Sequence, residues 1–236
     1  MTQQSPRHPG HGGPPSRPAG YWPVGGLRVL AGPLELRLPD EADLSALAAL
    51  AEAGVHDPAV QPFSVPWTDV DPAARARSVL QHHWSCLGSW SPANWTLNLV
   101  VVRNGAVVGT QGLGAADFPV LREVGTGSWL GRRHQGRGIG TAMRAAALAL
   151  AFDGLGAEFA TSTAFSDNAA SLAVSRKLGY RDDGTGRQVI RGRPAELRRL
   201  RLDRSGWEAG RAARAARTGE VVIEGLEPCR EMFGLS

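Results

Sequence analysis

The spacing of hydrophobic residues predicts regular structure along most of the chain beyond about residue 26. Residues 33–38 alternate between apolar and polar side chains as a strand does. Asp40 is suited to cap a helix over residues 41–53, in which leucines recur near helical spacing. A second helix is predicted over residues 72–87, because proline is well tolerated in the first turn of a helix. The first part of the chain is therefore predicted as one strand followed by two helices.

The middle of the chain has the pattern of sheet strands. The dipeptide Asn104-Gly105 lies between apolar runs at 96–102 and 106–113. Asn-Gly between two such runs is the strongest short-range signal of a β-hairpin. A further strand is predicted at 122–130, and it leads directly into a glycine-rich loop.

The remaining elements alternate between helices and strands. The glycine-rich loop opens an alanine-rich helix that runs to about residue 155, and a buried strand follows at 158–165. A shorter helix ends at Gly179, where glycine suits a helix C-terminus. Two strands, a helix and a last short strand are then predicted at 180–190, 195–202, 205–218 and 220–224. This order predicts a mixed α/β fold in which a parallel pair of strands flanks the helix after the loop.

Composition narrows the class of protein. The chain has 236 residues, 42% of them hydrophobic, and its 26 basic and 22 acidic residues give a net charge of +4. The basic residues are almost all arginines spread along the chain, which argues against a dedicated nucleic-acid interface. Two cysteines make no disulfide framework. The sequence has neither a membrane-spanning apolar run nor a secretory signal pattern, so a cytoplasmic protein without a membrane partner is predicted.

The loop at residues 135–140 is the strongest candidate for a ligand site, and it reads Q-G-R-G-I-G. Glycines let the backbone approach a bulky ligand and adopt positive φ. The first amides of a helix have no intrahelical partner and lie at the positive end of the helix dipole. A pyrophosphate at this position would be bound by several amides at once. Arg132, Arg133 and Arg137 add positive charge.

Glycine-rich turns between a strand and a helix also occur in other folds. A dinucleotide-binding turn needs G-x-G-x-x-G, whereas the glycines here are Gly136, Gly138 and Gly140. Glu158 nevertheless lies near the distance at which that fold has its acidic residue, so spacing alone does not exclude a dinucleotide. A P-loop is excluded because no Gly-Lys-Ser/Thr follows. Glycines that only cap the helix are also compatible with the loop taken by itself.

The residues downstream decide between these interpretations. The loop, the strand after it and residues 168–180, which read N-A-A-S-L-A-V-S-R-K-L-G-Y, resemble in this order the GCN5-related N-acetyltransferase (GNAT) superfamily. The last of these segments and the sequence L-D-R-S-G-W at 202–207 are similar to the RimJ/RimL branch, which acetylates protein N-termini and many small amines. The resemblance implies the GNAT fold, a mixed central sheet with splayed parallel strands flanked by helices.

Three segments are predicted along the chain. Residues 1–25 are rich in proline, glycine, histidine and serine, which is the composition of a disordered leader. The resemblance assigns residues 26–207 to the GNAT domain and leaves residues 208–236 as a C-terminal extension with a helix and a strand. That strand could add an edge to the sheet or pair across a homodimer, and the sequence leaves both arrangements open.

The resemblance implies acetyl-CoA as the co-substrate and no metal. In this family the loop amides bind the pyrophosphate, the preceding strand pairs its backbone with the pantetheine arm, and the asparagine binds the pantetheine or phosphate end. Asn168 is also suited to cap its own helix, which is compatible with that role. The CoA contacts expected on this sequence are Ser128, Trp129, Leu130, Gln135, Gly136, Arg137, Gly138, Ile139, Gly140, Thr141 and Asn168.

The implied reaction is direct attack of an amine on the thioester carbonyl. It needs a neutral amine, a donor for the oxyanion and a proton for the departing thiolate. Ser171, which matches the RimL-like pattern, and Ser175, one helical turn later, are the candidate proton donors, with Tyr180 as a third option. Glu123 at the head of the strand is the candidate base, although a salt-bridged strand end is the favoured interpretation of this residue. Asp117, or a water chain without a single base, is a further option.

The acceptor is predicted to be a primary amine, on a protein N-terminus or on a small molecule. Phe63 and Trp67 lie in a proline-containing loop and would either pin that loop to the core or form a wall of the acceptor pocket. Because the base is weakly defined, a non-catalytic module that binds acyl-CoA is the alternative to an enzyme.

Overall fold

The computed structural model describes residues 20–236 and arranges them around one mixed sheet. The strands are β1 (Arg28–Ala31), β2 (Leu34–Arg37), β3 (Asn94–Arg103), β4 (Ala106–Ala116), β5 (Glu123–Leu130), β6 (Phe159–Phe165), β7 (Arg181–Ile190), β8 (Arg193–Asp203) and β9 (Val221–Glu224). The helices are α1 (Glu41–Ala53), α2 (Pro72–Gly88), α3 (Phe118–Leu121), α4 (Ile139–Ala149), α5 (Ala169–Lys177), α6 (Arg204–Ala209) and α7 (Arg211–Thr218). A π-helical turn at Leu150–Gly154 continues α4.

Local sequence explains where the first helices and the central hairpin form. The carboxylate of Asp40 accepts a hydrogen bond from the amide of Asp43 at 2.8 Å, and the carboxylate of Asp43 accepts one from the amide of Asp40 at 3.2 Å. This reciprocal capping fixes the start of α1. Asp71 caps α2 in a similar way. Asn104 and Gly105 both have positive φ, as a two-residue turn between β3 and β4 requires.

The order of strands within residues 20–236 is β7-β8-β6-β5-β4-β3-β2-β1-β9. Neighbouring strands are antiparallel except β5 and β6, which run parallel. That parallel pairing joins only residues 123–125 to residues 159–161. Beyond Gly125 the two strands are no longer paired, so a fork opens between their C-terminal halves. The predicted mixed sheet with a splayed parallel pair is confirmed.

The helices lie on both faces of this sheet. Along β3, Leu97, Leu99 and Val101 belong to the cluster that contains α4, whereas Val100 and Val102 pack with residues of α1 and α2. Successive side chains of a strand point to opposite faces. Helices α1 and α2 therefore cover one face, and α4 covers the other.

The N-terminal boundary of the fold differs from the predicted one. Residues 1–19 of the predicted leader lie outside the described residues. Pro23–Gly26 form a 3-10 helix in which Val24 is buried, and Trp22 makes an edge contact with Trp90 at a centroid distance of 5.9 Å. The leader therefore cannot extend to residue 25 as predicted. The strand β1 was also absent from the sequence prediction.

The C-terminal extension is built into the same domain. Strand β9 pairs antiparallel with β1 of its own chain, so of the two arrangements left open it forms the edge of the sheet. Cys229 and Phe233 are fully buried in the main core. The indole N–H of Trp90 donates to the carbonyl of Met232 at 2.7 Å. A domain boundary at residue 207 therefore does not describe the folded unit.

No helix within residues 20–236 is both long enough and apolar enough to cross a bilayer.

Candidate active site

The glycine-rich loop forms the start of α4. Gly136 and Gly138 have φ values of +72° and +77°, in the left-handed region that side chains other than glycine rarely adopt. Gly138 is the N-cap of α4 and has no capping side chain. The amides of the first turn therefore face outward at the positive end of the helix dipole. Glycines at these two positions let the backbone turn sharply and leave those amides uncovered by side chains.

The space in front of the loop is open. A Cβ atom placed on Gly136 or Gly138 would meet no atom within 4 Å. Arg132, Arg133 and Arg137 are exposed around it. Partial burial and the guanidinium groups of Arg133, Arg137 and Arg103 lower the pKa of His134, which lies between them. Free amides, open space and positive charge fit the diphosphate of CoA.

Not every residue of the predicted CoA site is available to a ligand. The amide of Thr141 already donates to the carbonyl of Gly138 at 3.1 Å, so the prediction that it binds pyrophosphate is not supported. The side chain of Gln135 donates to the carbonyls of Val55 at 2.7 Å and Leu130 at 2.9 Å, which ties the loop to its surroundings. Because the Ile139 side chain is buried in the core, only its amide could contact a ligand in front of the loop.

Strand β5 offers an open edge next to the loop. Ser128, Trp129 and Leu130 pair with β4 on one side, opposite Gln111, Thr110 and Gly109. On the other side these residues lie beyond the last residue paired with β6. Unpaired backbone groups on a strand edge can pair with an extended chain, as in β-strand addition. The pantetheine arm of CoA fits this edge.

Helix α5 flanks the fork and begins at Asn168. The side-chain oxygen of Asn168 accepts a hydrogen bond from the amide of Ser171 at 3.1 Å, so the predicted capping role is present. Ser171 is half-buried. The hydroxyl of Ser175 is fully buried, accepts a hydrogen bond from Arg144 at 3.0 Å and donates to the carbonyl of Ser171 at 3.2 Å. The hydroxyl of Ser175 is therefore already hydrogen-bonded both as donor and as acceptor, whereas the side chain of Ser171 is more accessible.

The structure does not bring Glu123 together with these serines. Its carboxylate is ion-paired with Arg201 at 2.9 Å, at the closed end of the fork. Five residues of extended strand separate it from Ser128, which corresponds to about 17 Å. The interpretation of Glu123 as a salt-bridged strand end agrees with this geometry.

The predicted acceptor residues lie on the α1 and α2 side of β5. The rings of Phe63 and Trp67 are 5.2 Å apart, and Trp67 lies 5.7 Å from Trp129. The loop that carries them is also linked to the β7–β8 hairpin, because Arg191 is ion-paired with Asp69. A cavity of about 440 Å³ lies between the loop and the hairpin, lined in part by Gln61, Phe165, Arg193 and Glu196.

Arg144 is a site residue that the sequence pattern did not indicate. It lies on α4 and is only 6% exposed. Its guanidinium donates to the hydroxyl of Ser175 at 3.0 Å and to that of Ser128 at 3.3 Å. The only signal in the sequence was that Arg144 lies four residues after Gly140, because residues at this spacing share one face of a helix.

Comparison with known families agrees with this geometry. Residues 33–181 match the family model of the acetyltransferase (GNAT) domain, which is more than half of the chain. The chain belongs to the GNAT acetyltransferase family, and it is an N-acetyltransferase by class. The predicted membership is therefore confirmed.

Solved structures of similar fold include three acetyltransferases. RimJ of Mycobacterium smegmatis, in complex with CoA-disulfide, is 23% identical with a TM-score of 0.65, over 83% of this chain and 96% of that one. RimL, the ribosomal L7/L12 alpha-N-protein acetyltransferase in complex with coenzyme A, is 19% identical with a TM-score of 0.58, over 74% and 96%. A GNAT-family acetyltransferase of Bacillus anthracis is 14% identical with a TM-score of 0.59, over 75% and 98%. At these identities the likeness establishes the fold alone.

Proposed function

We propose that this protein transfers the acetyl group of acetyl-CoA to a primary amine by direct attack on the thioester. The observation that carries the proposal is the open edge of β5 beside the free amides at the start of α4. A helix N-terminus binds the diphosphate, and the strand edge binds the extended pantetheine arm. In acetyl-CoA the diphosphate is followed by the pantetheine arm, and in this protein the start of α4 lies next to the open edge of β5.

The contacts to CoA are assigned according to which groups are free. The amides of Gly136, Arg137, Gly138, Ile139 and Gly140 bind the diphosphate. The side chains of Gln135 and Ile139 fix the conformation of the loop. Thr141 supports the site indirectly, because its amide closes the first turn of α4. Ser128, Trp129 and Leu130 pair with the pantetheine arm. Asn168 caps α5 and thereby positions this helix on the far side of the pantetheine arm.

The chain's residues then support bond exchange at the acyl carbon. The new nitrogen–carbon bond forms as the carbon–sulfur bond breaks, and the sulfur takes that electron pair and a proton from a donor on the protein. The proton that the amine loses then replaces the one the donor gave up. Ser171 is the proposed donor to the sulfur, because its hydroxyl is the more accessible of the two serine hydroxyls on α5.

The class of acceptor is inferred from how readily its amine loses a proton, because only the neutral amine can attack the thioester. The first candidate for the base, Glu123, is held by Arg201 away from the open end of the fork. An α-amino group has a reference pKa of about 7.7–8.0 and is partly neutral near pH 7.5, whereas lysine at about 10.4 is almost wholly charged. We therefore favour an α-amino acceptor. RimL is described as an alpha-N-protein acetyltransferase, which supports this class.

The acceptor is proposed to enter from the α1 and α2 side. Phe63 and Trp67 form an aromatic wall that continues to Trp129 on β5. The cavity between this loop and the β7–β8 hairpin has room for a few residues of peptide. Trp129 thus lies where the acceptor's path would meet the CoA-binding strand.

The same geometry would also serve a module that binds acyl-CoA without turnover. The ion pair between Glu123 and Arg201 is the observation that favours this alternative, because it holds that carboxylate away from the open end of the fork. Release of free CoA from acetyl-CoA in the presence of α-amino peptides separates the two functions. Tight CoA binding with no acetyl transfer to any peptide or amine would establish the module.

Gly138→Asp tests the placement of the diphosphate. The added carboxylate would lie in the open space in front of the loop and repel the phosphate groups, and the positive φ would strain the turn. We expect the dissociation constant for acetyl-CoA, measured by calorimetry, to rise at least about 100-fold, or about 2.7 kcal/mol.

Gly105→Asp is the matched control for that measurement. Gly105 also has a positive φ, +78°, and also faces open space, but it lies in the β3–β4 turn. It therefore carries the same backbone strain and the same added charge away from the loop. Equal weakening by both substitutions, or none by Gly138→Asp, would contradict the placement.

A further inference from the structure

The guanidinium of Arg144 is a buried positive charge without a negative partner. No carboxylate within residues 20–236 lies within 4.0 Å of it. Its Nε is buried and has no hydrogen-bond partner in that part of the chain. Burial lowers the pKa of Arg144. A buried charge with only neutral partners costs stability, so its position is not explained by folding.

The groups around Arg144 are neutral hydroxyls. Ser128 on β5 and Ser175 on α5 accept its hydrogen bonds. Nearby, the hydroxyl of Tyr180 lies 3.3 Å from that of Thr126 on β5. Burial raises the pKa of Tyr180, so it remains neutral and does not act as a counter-ion. Within residues 20–236, the surroundings of Arg144 therefore provide hydroxyl groups and no carboxylate within 4.0 Å.

The position of this cluster matches the reacting end of the proposed co-substrate. Ser128 lies on β5 beyond Gly125, on the arm of the fork that is no longer paired with β6. Ser175 lies one turn after Ser171 on α5. Arg144 thus connects, from α4, the unpaired arm of β5 with α5, the helix that follows β6 in the chain.

We propose that Arg144 is a positioning residue that orients the hydroxyls of Ser128 and Ser175 and makes the fork favour negative charge at the CoA sulfur. The inference rests on the proposed function. Because Ser128 accepts from Arg144, its own proton is free to donate elsewhere. As the carbon–sulfur bond breaks, sulfur takes the electron pair and becomes a thiolate until it receives the donor's proton, which the proton lost by the amine then replaces. Arg144 keeps its protons and acts through its charge and the two hydroxyls.

The thiol of bound CoA provides a test that needs neither an acceptor nor turnover. The ultraviolet absorbance of the thiolate is recorded against pH for CoA alone and for CoA bound to the wild-type protein, Arg144→Lys and Arg144→Met. We expect the wild-type protein to lower the thiol pKa by about one unit or more, as a nearby opposite charge does. Arg144→Met should restore the value of free CoA, and Arg144→Lys should retain part of the shift.

Kinetics with an accepted amine give a second readout. Arg144→Met is expected to lower kcat about 10- to 100-fold, which is less than the loss of a donor that contacts the reacting atoms directly, with KM for acetyl-CoA changed less than about threefold. Removing an uncompensated buried charge should leave the thermal midpoint equal or higher, so the variant should fold. Should it fail to fold, Ser128→Ala retains the charge and is expected to shift the thiol pKa by a smaller amount.

The outcomes separate this inference from the proposed function. If the wild-type protein takes up no CoA, the proposed function fails, and the role of Arg144 fails with it. If CoA binds but its thiol titrates identically in the wild-type protein and in Arg144→Met, only the role of Arg144 is overturned. A raised KM with unchanged kcat would also overturn it, because the residue would then act in ground-state binding alone.

Discussion

His83 on α2 is a buried imidazole whose protonation opposes folding. It is 4% exposed, and burial together with the nearby His82 lowers its pKa from 6.5 to about 4. Between these values the unfolded chain binds a proton that the folded chain does not, so stability falls as the pH drops from about 6.5 to 4. The difference corresponds to about 3 kcal/mol. Urea unfolding over this pH range measures it.

Substitution of the two neighbouring histidines isolates this effect. His83→Gln should flatten the dependence of unfolding free energy on pH, whatever its effect on stability at pH 7. His82→Gln, at the neighbouring position with the more exposed side chain, should flatten it less, although burial lowers the pKa of His82 as well. An undiminished slope in His83→Gln would assign the acid sensitivity to other groups.

Single residues differ in how far the sequence reveals their role. The role of Gly138 as a loop glycine follows from the motif, because a helix start with free amides requires positive φ there. Whether Ile139 or Thr141 offers a free amide depends on how the first turn closes, which the motif does not specify. Arg144 follows Met143 in an alanine-rich helix, where an arginine ordinarily marks the solvent side. Its burial results from the packing of α5 and β5 against α4.

Among the secondary-structure elements, those with local signals were predicted best. Helix α1 spans the predicted residues because Asp40 and Asp43 cap it reciprocally. The β3–β4 hairpin follows from its Asn-Gly turn. The strands β1 and β9 are only four residues long, and β9 pairs with β1 alone. Strand β9 depends on a partner far away in sequence, so its pairing was left open. Strand β1 pairs with the adjacent β2, but four residues are too few for an alternating pattern to predict it.

Phe233 tests whether the C-terminal segment belongs to the cooperative core. Its ring is fully buried and lies 4.9 Å from that of Trp95 and 5.5 Å from that of Trp90. Phe233→Ala should therefore reduce the free energy of unfolding by about 3–5 kcal/mol, through lost apolar contact and the cavity left behind. Chemical denaturation, followed by tryptophan fluorescence, measures this loss.

Val222→Ala is the control in the same segment. Val222 lies on β9 and is 44% exposed, so its truncation should cost less than about 1 kcal/mol. Similar small losses for both variants would mean that the segment is not part of the cooperative unit. Phe233→Ala should retain CoA affinity, since the segment packs away from the α4 loop.

At the scale of the whole molecule, the site arises from an interruption of the sheet. The predicted order of elements was sufficient to place a parallel pair beside the helix after the loop. The point at which the pair separates, after Gly125, was not predicted. It depends on how β8 pairs along the full length of β6 while β4 holds β5. These pairings hold the two strands apart beyond Gly125, where the proposed thioester site lies.

CoA binding should therefore change hydrogen exchange in one restricted part of the sheet. We expect slower amide exchange at residues 126–130 of β5 and at residues 136–140, because their free groups gain hydrogen-bond partners. The β1–β9 edge at the other end of the sheet should be unaffected. Mass spectrometry of exchange with and without CoA makes the comparison, and the Gly138→Asp protein should show no protection at the same CoA concentration. Protection spread evenly over the sheet, or centred on β9, would place the ligand outside the fork.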